Sequence, residues 1–207
     1  MVIKEIENNI IKLNDTFALI SNERKELLNE LARYISEKVK AGDEVNLNFI
    51  CTHNSRRSHM GQIWGQTAAE YYGIENVKCF SGGTEATAFN PRAVNAIRDY
   101  GYEIIQKDNS GNPLYLVKYS DEKEPLICFS KVYNDEFNPQ NNFAAIMTCS
   151  DADENCPVVF GAEARFPIRY KDPKEYDNTD LEAKMYKERF EEIGREMLYL
   201  FSNVNEG

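Results

Sequence analysis

Apolar residues recur every three or four positions through the first 41 residues, the spacing of amphipathic helices. Ile3, Ile6, Ile10, Ile11 and Leu13 share one side of a first helix. Leu27, Leu28, Leu31, Tyr34, Ile35 and Val39 share one side of a second, with Ser21 as its N-cap and Ala41-Gly42-Asp43 as its stop. From Glu44 the pattern changes to strand: VNLNFI leads into a polar loop and then a helix over 58–72. VKCFSGG (77–83) reads as a second strand and NPRAVNAIRDYG (90–101) as a helix capped by Asn90 with Pro91 in its first turn. FAAIMT (143–148) reads as a buried strand. PLYLVKYS and PLICFSKVY have strand-like or edge character around the charged turn DEKEP, and their pairing is left open. TDLEAKMYKERFEEIGREMLYLFSNV is a long amphipathic helix, with Thr179 or Asn178 as its start. Strands alternating with helices predict an α/β fold, a parallel sheet with helices on both faces. Residues 1–43 are then a helical extension, whose stripe predicts packing or dimerisation, and residues 44–207 form one domain.

A net charge of −10 argues against a nucleic-acid or acidic-membrane partner, so any anion site must be local. No apolar run approaches the ~20 residues of a membrane span. The N-terminal stretch MVIKEIENNIIKLND lacks the basic start and uninterrupted apolar centre of a signal peptide, which predicts a cytoplasmic protein. Five cysteines, at 51, 79, 128, 149 and 156, are an odd number, and fit catalytic or redox thiols better than a disulfide framework.

Cys51 ends the first strand and Arg57 follows six residues on, with Ser58 next. In open parallel sheets ligands bind beyond the carboxyl ends of strands, where a loop closing on a helix start offers several N–H groups to one anion. The segment Thr52, His53, Asn54, Ser55, Arg56 and Arg57 is therefore the expected oxyanion cradle. The positive helix end and the arginines favour a nucleophilic thiolate at Cys51. Arg57 brings a planar fork of donors to a tetrahedral oxyanion, and Ser58 a hydroxyl to the sulfur. Against this stand a buried inert cysteine beside two solvated arginines, and a metal site built from Cys51, His53, Cys149 and Cys156. The latter lacks the short ligand spacings typical of zinc. Cys79 and Cys128, in apolar settings, read as core, and His59 as a surface residue.

CTHNSRRS resembles the phosphate-binding loop of the low-molecular-weight protein tyrosine phosphatase superfamily, which includes the thioredoxin-coupled arsenate reductases. SGGTEATAFNPRAVNAIRDYGYEI (81–104) is similar to that family's next segment. TCSDADENCP (148–157) resembles the reductases' redox loop, and KDPKEYDNTDLEAKMYKERFEEIGREM (171–197) the Asp-Pro segment and final helix. The likeness covers about residues 45–105 and 143–202.

It implies a four-stranded parallel sheet flanked by helices, with Cys51 as nucleophile and Asp172 over the site. It also implies one of two activities. In an arsenate reductase, Cys51 attacks arsenate, Cys149 attacks Cys51 to release arsenite, and Cys156 attacks Cys149, leaving a disulfide for thioredoxin; no tightly bound cofactor is needed. In a phosphatase, Asp172 is the general acid for hydrolysis through a Cys51 phosphocysteine. A non-catalytic oxyanion-binding protein is the reading from another class. His53 replaces the family's usual glycine, which raises the expectation of a strained or narrowed cradle at that position.

Overall fold

The computed structural model describes residues 1–155 and 158–204. In chain order the elements are α1 (Lys4–Asn14), α2 (Asn22–Ala41), β1 (Val45–Cys51), α3 (Arg57–Tyr72), β2 (Val77–Gly83) and α4 (Pro91–Arg98). There follow β3 (Glu103–Gln106), β4 (Tyr115–Lys118), β5 (Leu126–Cys128), β6 (Phe143–Met147), α5 (Ser150–Asn155), β7 (Ala162–Phe166) and α6 (Glu182–Ser202). The main sheet is four-stranded and parallel, in the order β2-β1-β6-β7, the architecture the resemblance implied. β1 is central and buried throughout. Its alternation sends Val45, Leu47 and Phe49 into the large core, while Ile50 joins a smaller cluster with Phe143, Ala145, Met147, Cys149 and Ala152. Asn48, buried within the strand, donates to the carbonyl of Tyr133 at 3.0 Å.

Registry decides what meets at the carboxyl end of the sheet. β1 pairs Cys51 with Gly83 on one side and Ile50 with Met147 on the other. The first and third loops of the sheet therefore emerge side by side, the loop after β1 toward α3 and the junction after β6 toward α5. α6 packs on α3 and on both N-terminal helices. Trp64 lies against Gly194, where any side chain would meet the indole, and its ring is 5.1 Å from that of Phe190.

The N-terminal helices follow their apolar stripes, with Ile6, Ile10 and Leu13 of α1 and Leu28, Leu31 and Ile35 of α2 buried. Ser21 accepts the Arg24 N–H as the cap of α2, and Gly42 closes that helix in the left-handed conformation. Asn90 caps α4 in the same way.

Two local expectations need correction, and two stretches without an assignment take form. α6 begins at Glu182, not at Asn178 or Thr179, because Asn178 takes a positive φ of 62° and Thr179 turns its hydroxyl back to the Tyr176 carbonyl. SDADEN is a short helix rather than an open loop. AEARF, which has no clear alternation, supplies the edge strand β7. The open stretch after residue 102 resolves into a second, antiparallel sheet, β3-β4-β5, with Tyr115 and Val117 facing inward. Among the described residues no helix is long and apolar enough to cross a membrane.

Candidate active site

The loop from Thr52 to Arg56 is held by its carbonyl groups. That of Cys51 accepts the Thr84 N–H at 3.1 Å, and that of Thr52 accepts the Glu85 N–H at 2.8 Å. The His53 carbonyl accepts the hydroxyls of Ser130 (2.9 Å) and Thr87 (3.2 Å), and the Ser55 carbonyl the Asn90 N–H at 2.9 Å. With the carbonyls engaged outward, the backbone N–H groups of His53, Asn54, Ser55 and Arg56 donate to no acceptor among the described residues. Such a run of unused amides at a strand-to-helix turn is an anion nest.

Asn54 is the pivot. It adopts a φ of 43°, a conformation asparagine tolerates better than most residues, and is fully buried. Its amide donates to the Ser58 hydroxyl at 2.9 Å, and its Oδ1 accepts the Lys131 N–H at 2.9 Å. His53 has no positive φ; its side chain is half exposed, 3.7 Å from Glu85. The expected strain at His53 is thus absent, because the left-handed position falls one residue later. Gly83 explains the adjoining SGG: a β-carbon there would collide with the Glu85 carbonyl and lie 2.6 Å from the Thr52 oxygen and 2.7 Å from the Asn54 nitrogen.

Cys51 is 3% exposed, with its sulfur 3.1 Å from the Ser58 hydroxyl. Arg57 donates from Nη1 to the Tyr170 carbonyl at 3.0 Å and from Nη2 to Asp172 Oδ2 at 2.8 Å. Its Nε is buried and has no partner among the described residues. Asp172 accepts the Lys174 N–H and so caps the turn Pro173–Tyr176, which fixes the carboxylate beside Arg57. Arg56 turns toward the 172–186 segment, donating to the Tyr186 hydroxyl at 2.8 Å and standing 3.5 Å from Asp177. Burial and the bond to Asp177 push the Tyr186 phenol up to about 12. Arg189 of α6 feels the charges of Arg57 and Asp172, and burial lowers its pKa. Sequence reading passed over Tyr186 and Arg189, which look like ordinary members of a charged helix.

Cys149 is fully buried just past β6 and accepts the Ala152 N–H at 3.4 Å. The Thr52 hydroxyl lies 3.5 Å from its sulfur, which places Cys149 against the loop that Cys51 begins. Thr148 ties the two strand ends together, its N–H and hydroxyl both donating to the Ile50 carbonyl, at 2.8 and 2.9 Å. Cys156 lies outside the described residues. Cys79 and Cys128 are buried, and burial raises both thiols, that of Cys128 to about 12.

His59 is a correction. Rather than a surface residue it is fully buried, stacked on Phe89 at 3.9 Å, with Nδ1 3.1 Å from the Ser81 hydroxyl. Helix periodicity places it beneath the loop, four residues after Ser55, a position its polarity disguised. Burial, with Lys131 nearby, holds its pKa well below the ordinary histidine value.

A strand-end cysteine, a run of amides without acceptors among the described residues and an arginine six residues later give this strand-to-helix turn a geometry suited to an oxyanion. Residues 46–110 match the model of the low molecular weight phosphotyrosine protein phosphatase family. Arsenate reductase 2 of Staphylococcus saprophyticus is 30% identical over 117 residues, covering 56% of this chain and 70% of the relative. Arsenate reductase 1 of the same organism is 28% identical over 153 residues, 72% of this chain and 97% of the relative. The low molecular weight protein tyrosine phosphatase of T. tengcongensis superposes with a TM-score of 0.53 at 17% identity, over 77% of this chain and 99% of that one. The chain belongs to the low-molecular-weight phosphotyrosine protein phosphatase family, a family of enzymes whose members include arsenate reductases.

Proposed function

We propose that the protein is a thiol-relay arsenate reductase. The observation that carries this reading is the pairing of two buried cysteines at one loop: Cys51 begins it, and Cys149 touches its Thr52 hydroxyl. Arsenate would lie in the nest of amides from His53 to Arg56, with the free Nε of Arg57 as a further donor. The Cys51 thiolate attacks arsenic, expelling an oxygen as water and forming a sulfur–arsenic(V) bond. Cys149 then attacks the sulfur of Cys51. The electron pair of the sulfur–arsenic bond leaves with arsenic, releasing arsenite and a Cys51–Cys149 disulfide. Attack by Cys156 on Cys149 moves the disulfide to that pair and restores the Cys51 thiol, and an external dithiol of the thioredoxin type accepts the oxidation. The strand ends that bring Cys51 and Cys149 together support the first exchange. The homology to arsenate reductases, and a cysteine seven residues beyond Cys149, support the second.

The test is arsenate-dependent oxidation of NADPH by the purified protein with thioredoxin and thioredoxin reductase. Turnover that disappears in Cys51→Ser, Cys149→Ser and Cys156→Ser is the expected result; inactive wild-type protein under reducing conditions sinks the assignment. A second reading, phosphoester hydrolysis, is favoured by Asp172, whose carboxylate sits 2.8 Å from Arg57 with part of its surface open to water. Aryl phosphate hydrolysis that survives Cys149→Ser and Cys156→Ser but not Asp172→Asn would select it. Turnover of either substrate that Cys51→Ser abolishes excludes a purely binding role.

A further inference from the structure

The segment from Arg169 to Asp172 carries two of the contacts that orient Arg57, yet it is an irregular stretch between β7 and α6. Its order comes largely from outside. The Tyr170 N–H donates to the Thr148 carbonyl at 3.0 Å, and the Arg169 side chain reaches Asp153 of α5, with Nε 2.6 Å from Oδ2. A further hold comes from α2. Arg24, in the first turn of α2, donates from Nη2 to the Arg169 carbonyl at 3.0 Å, and its guanidinium covers the buried Tyr170 ring at 4.8 Å. Glu196 of α6, itself 6% exposed, aims that guanidinium through two bonds of 2.9 Å, and the backbone of Arg24 is fixed by the Ser21 cap. One planar fork thus serves a carboxylate, a carbonyl and an aromatic face together, which a lysine ammonium cannot do.

We infer that Arg24 is a positioning residue for the oxyanion site: by fixing residues 169–172 it sets the carbonyl and carboxylate that aim Arg57. The helical extension becomes part of the active-site scaffold. The inference rests on the oxyanion reading proposed above. It is distinct from a plain role for the Arg24–Glu196 pair in pinning α2 to α6, and the two roles predict different things.

The experiment measures protection of Cys51 from iodoacetamide by inorganic phosphate, with thermal unfolding as the control. Arg24→Met with Glu196→Met removes both charges of the buried pair, a replacement that is often close to neutral for stability. The positioning role predicts a phosphate midpoint about tenfold higher at a nearly unchanged melting temperature, the scale of one lost hydrogen bond to a charged group. Glu196→Gln weakens the α2–α6 pair but keeps the donor to Arg169. It should melt earlier and yet bind phosphate within about twofold of wild type, since the bond to the carbonyl survives. If the double variant does not fold, Arg24→Lys takes its place, with a smaller shift in the same direction. A double variant that binds phosphate like wild type, or affinities that simply follow melting temperature across the set, overturns the inference. Failure of phosphate to shield Cys51 in the wild-type protein strikes the oxyanion reading instead. Hydrogen exchange over residues 167–173, faster in the double variant at matched stability if Arg24 braces the segment and unchanged if it does not, then still decides the matter.

Discussion

The two loops at the carboxyl end of the sheet are built on opposite plans. The first, Thr52 to Arg56, is fixed through backbone carbonyls and the buried Asn54, by Thr84, Glu85, Thr87 and Asn90 in the stretch after β2 and by Ser130 and Lys131. Its neighbour, α5, is six residues long, with Ala152 as its buried apolar contact, and its ionic hold is one side chain: Asp153, 3% exposed, pairs with Arg165 of β7 and Arg169 beyond it. A backbone-fixed loop suits a site that must meet a rigid tetrahedral anion. A segment held by a single ionic latch suits one that must rearrange, because opening it breaks few buried apolar contacts. Rigidity is thus concentrated in the first loop, and substitutions in each region test that distribution.

The largest effect is expected at Gly83. A valine there must displace backbone on both sides, since the colliding atoms are the Glu85 and Thr52 carbonyls and the Asn54 nitrogen, none of which can rotate away. Gly83→Val should cost about 2–4 kcal/mol in urea unfolding, in the range of severe steric insertions, and abolish phosphate protection of Cys51. Retention of anion binding would show that the loop is not fixed as described. Next comes Arg57→Lys, which keeps the charge but loses the fork between the Tyr170 carbonyl and Asp172. A fall of about 10²-fold in kcat/KM, at nearly unchanged melting temperature, is the scale of losing one preorganised oxyanion donor. A loss below about fivefold would mean that the amides alone hold the anion.

Much of the first region is legible in the sequence alone. Cys51, Arg57 and Ser58 are close in sequence, and a strand followed by a helix brings them to one turn through local geometry alone. The parallel sheet followed from alternating elements, and the caps at Ser21 and Asn90 from their own side chains. What stayed hidden depends on distant chain. Asn54 takes the left-handed conformation because Lys131 and Ser58 bind its side chain, so the family's glycine position was a misleading guide to strain. His59 looked polar and exposed, and Phe89 and Ser81 bury it. Arg24 and Glu196 are separated by 172 positions and read as two solvated charges until α2 and α6 pack. The helical state of SDADEN was masked by its acidic composition, which has no apolar period; Arg165 and Arg169 supply the reason it folds.

Asp153→Asn tests the second region directly. Breaking a fully buried ion pair from one side costs about 3–5 kcal/mol. Both arginines here retain solvent, with side chains 30% and 48% exposed, so about 1–2 kcal/mol is expected, spent on opening α5 rather than on global unfolding. Hydrogen exchange across 150–155 should accelerate about tenfold, while the Glu85 and Asn90 amides that bond the carbonyls of the first loop exchange as in wild type. If exchange quickens equally at Glu85 and Asn90, the two loops are one cooperative unit and differ less in rigidity than their contacts imply.

The smallest effect concerns the floor of the first loop and is read through pH. The buried His59 ring has a pKa well below its unfolded value of about 6.5. As pH falls through that value the unfolded chain takes up a proton that the folded protein refuses, so the unfolded state is favoured. Stability attributable to His59 is therefore present above about pH 6.5 and declines toward pH 5, with a limiting slope of about 1.4 kcal/mol per pH unit. His59→Gln, which keeps a polar group near Ser81, should lower stability at neutral pH by about 1 kcal/mol through lost stacking on Phe89. It should also flatten the acid limb relative to wild type by nearly one proton. Urea midpoints for both proteins across that range measure the difference. Parallel pH curves would mean that the folded imidazole takes up its proton over the same range as the unfolded chain, and at acid pH its charge would then have to be counted among the groups that attract the anion.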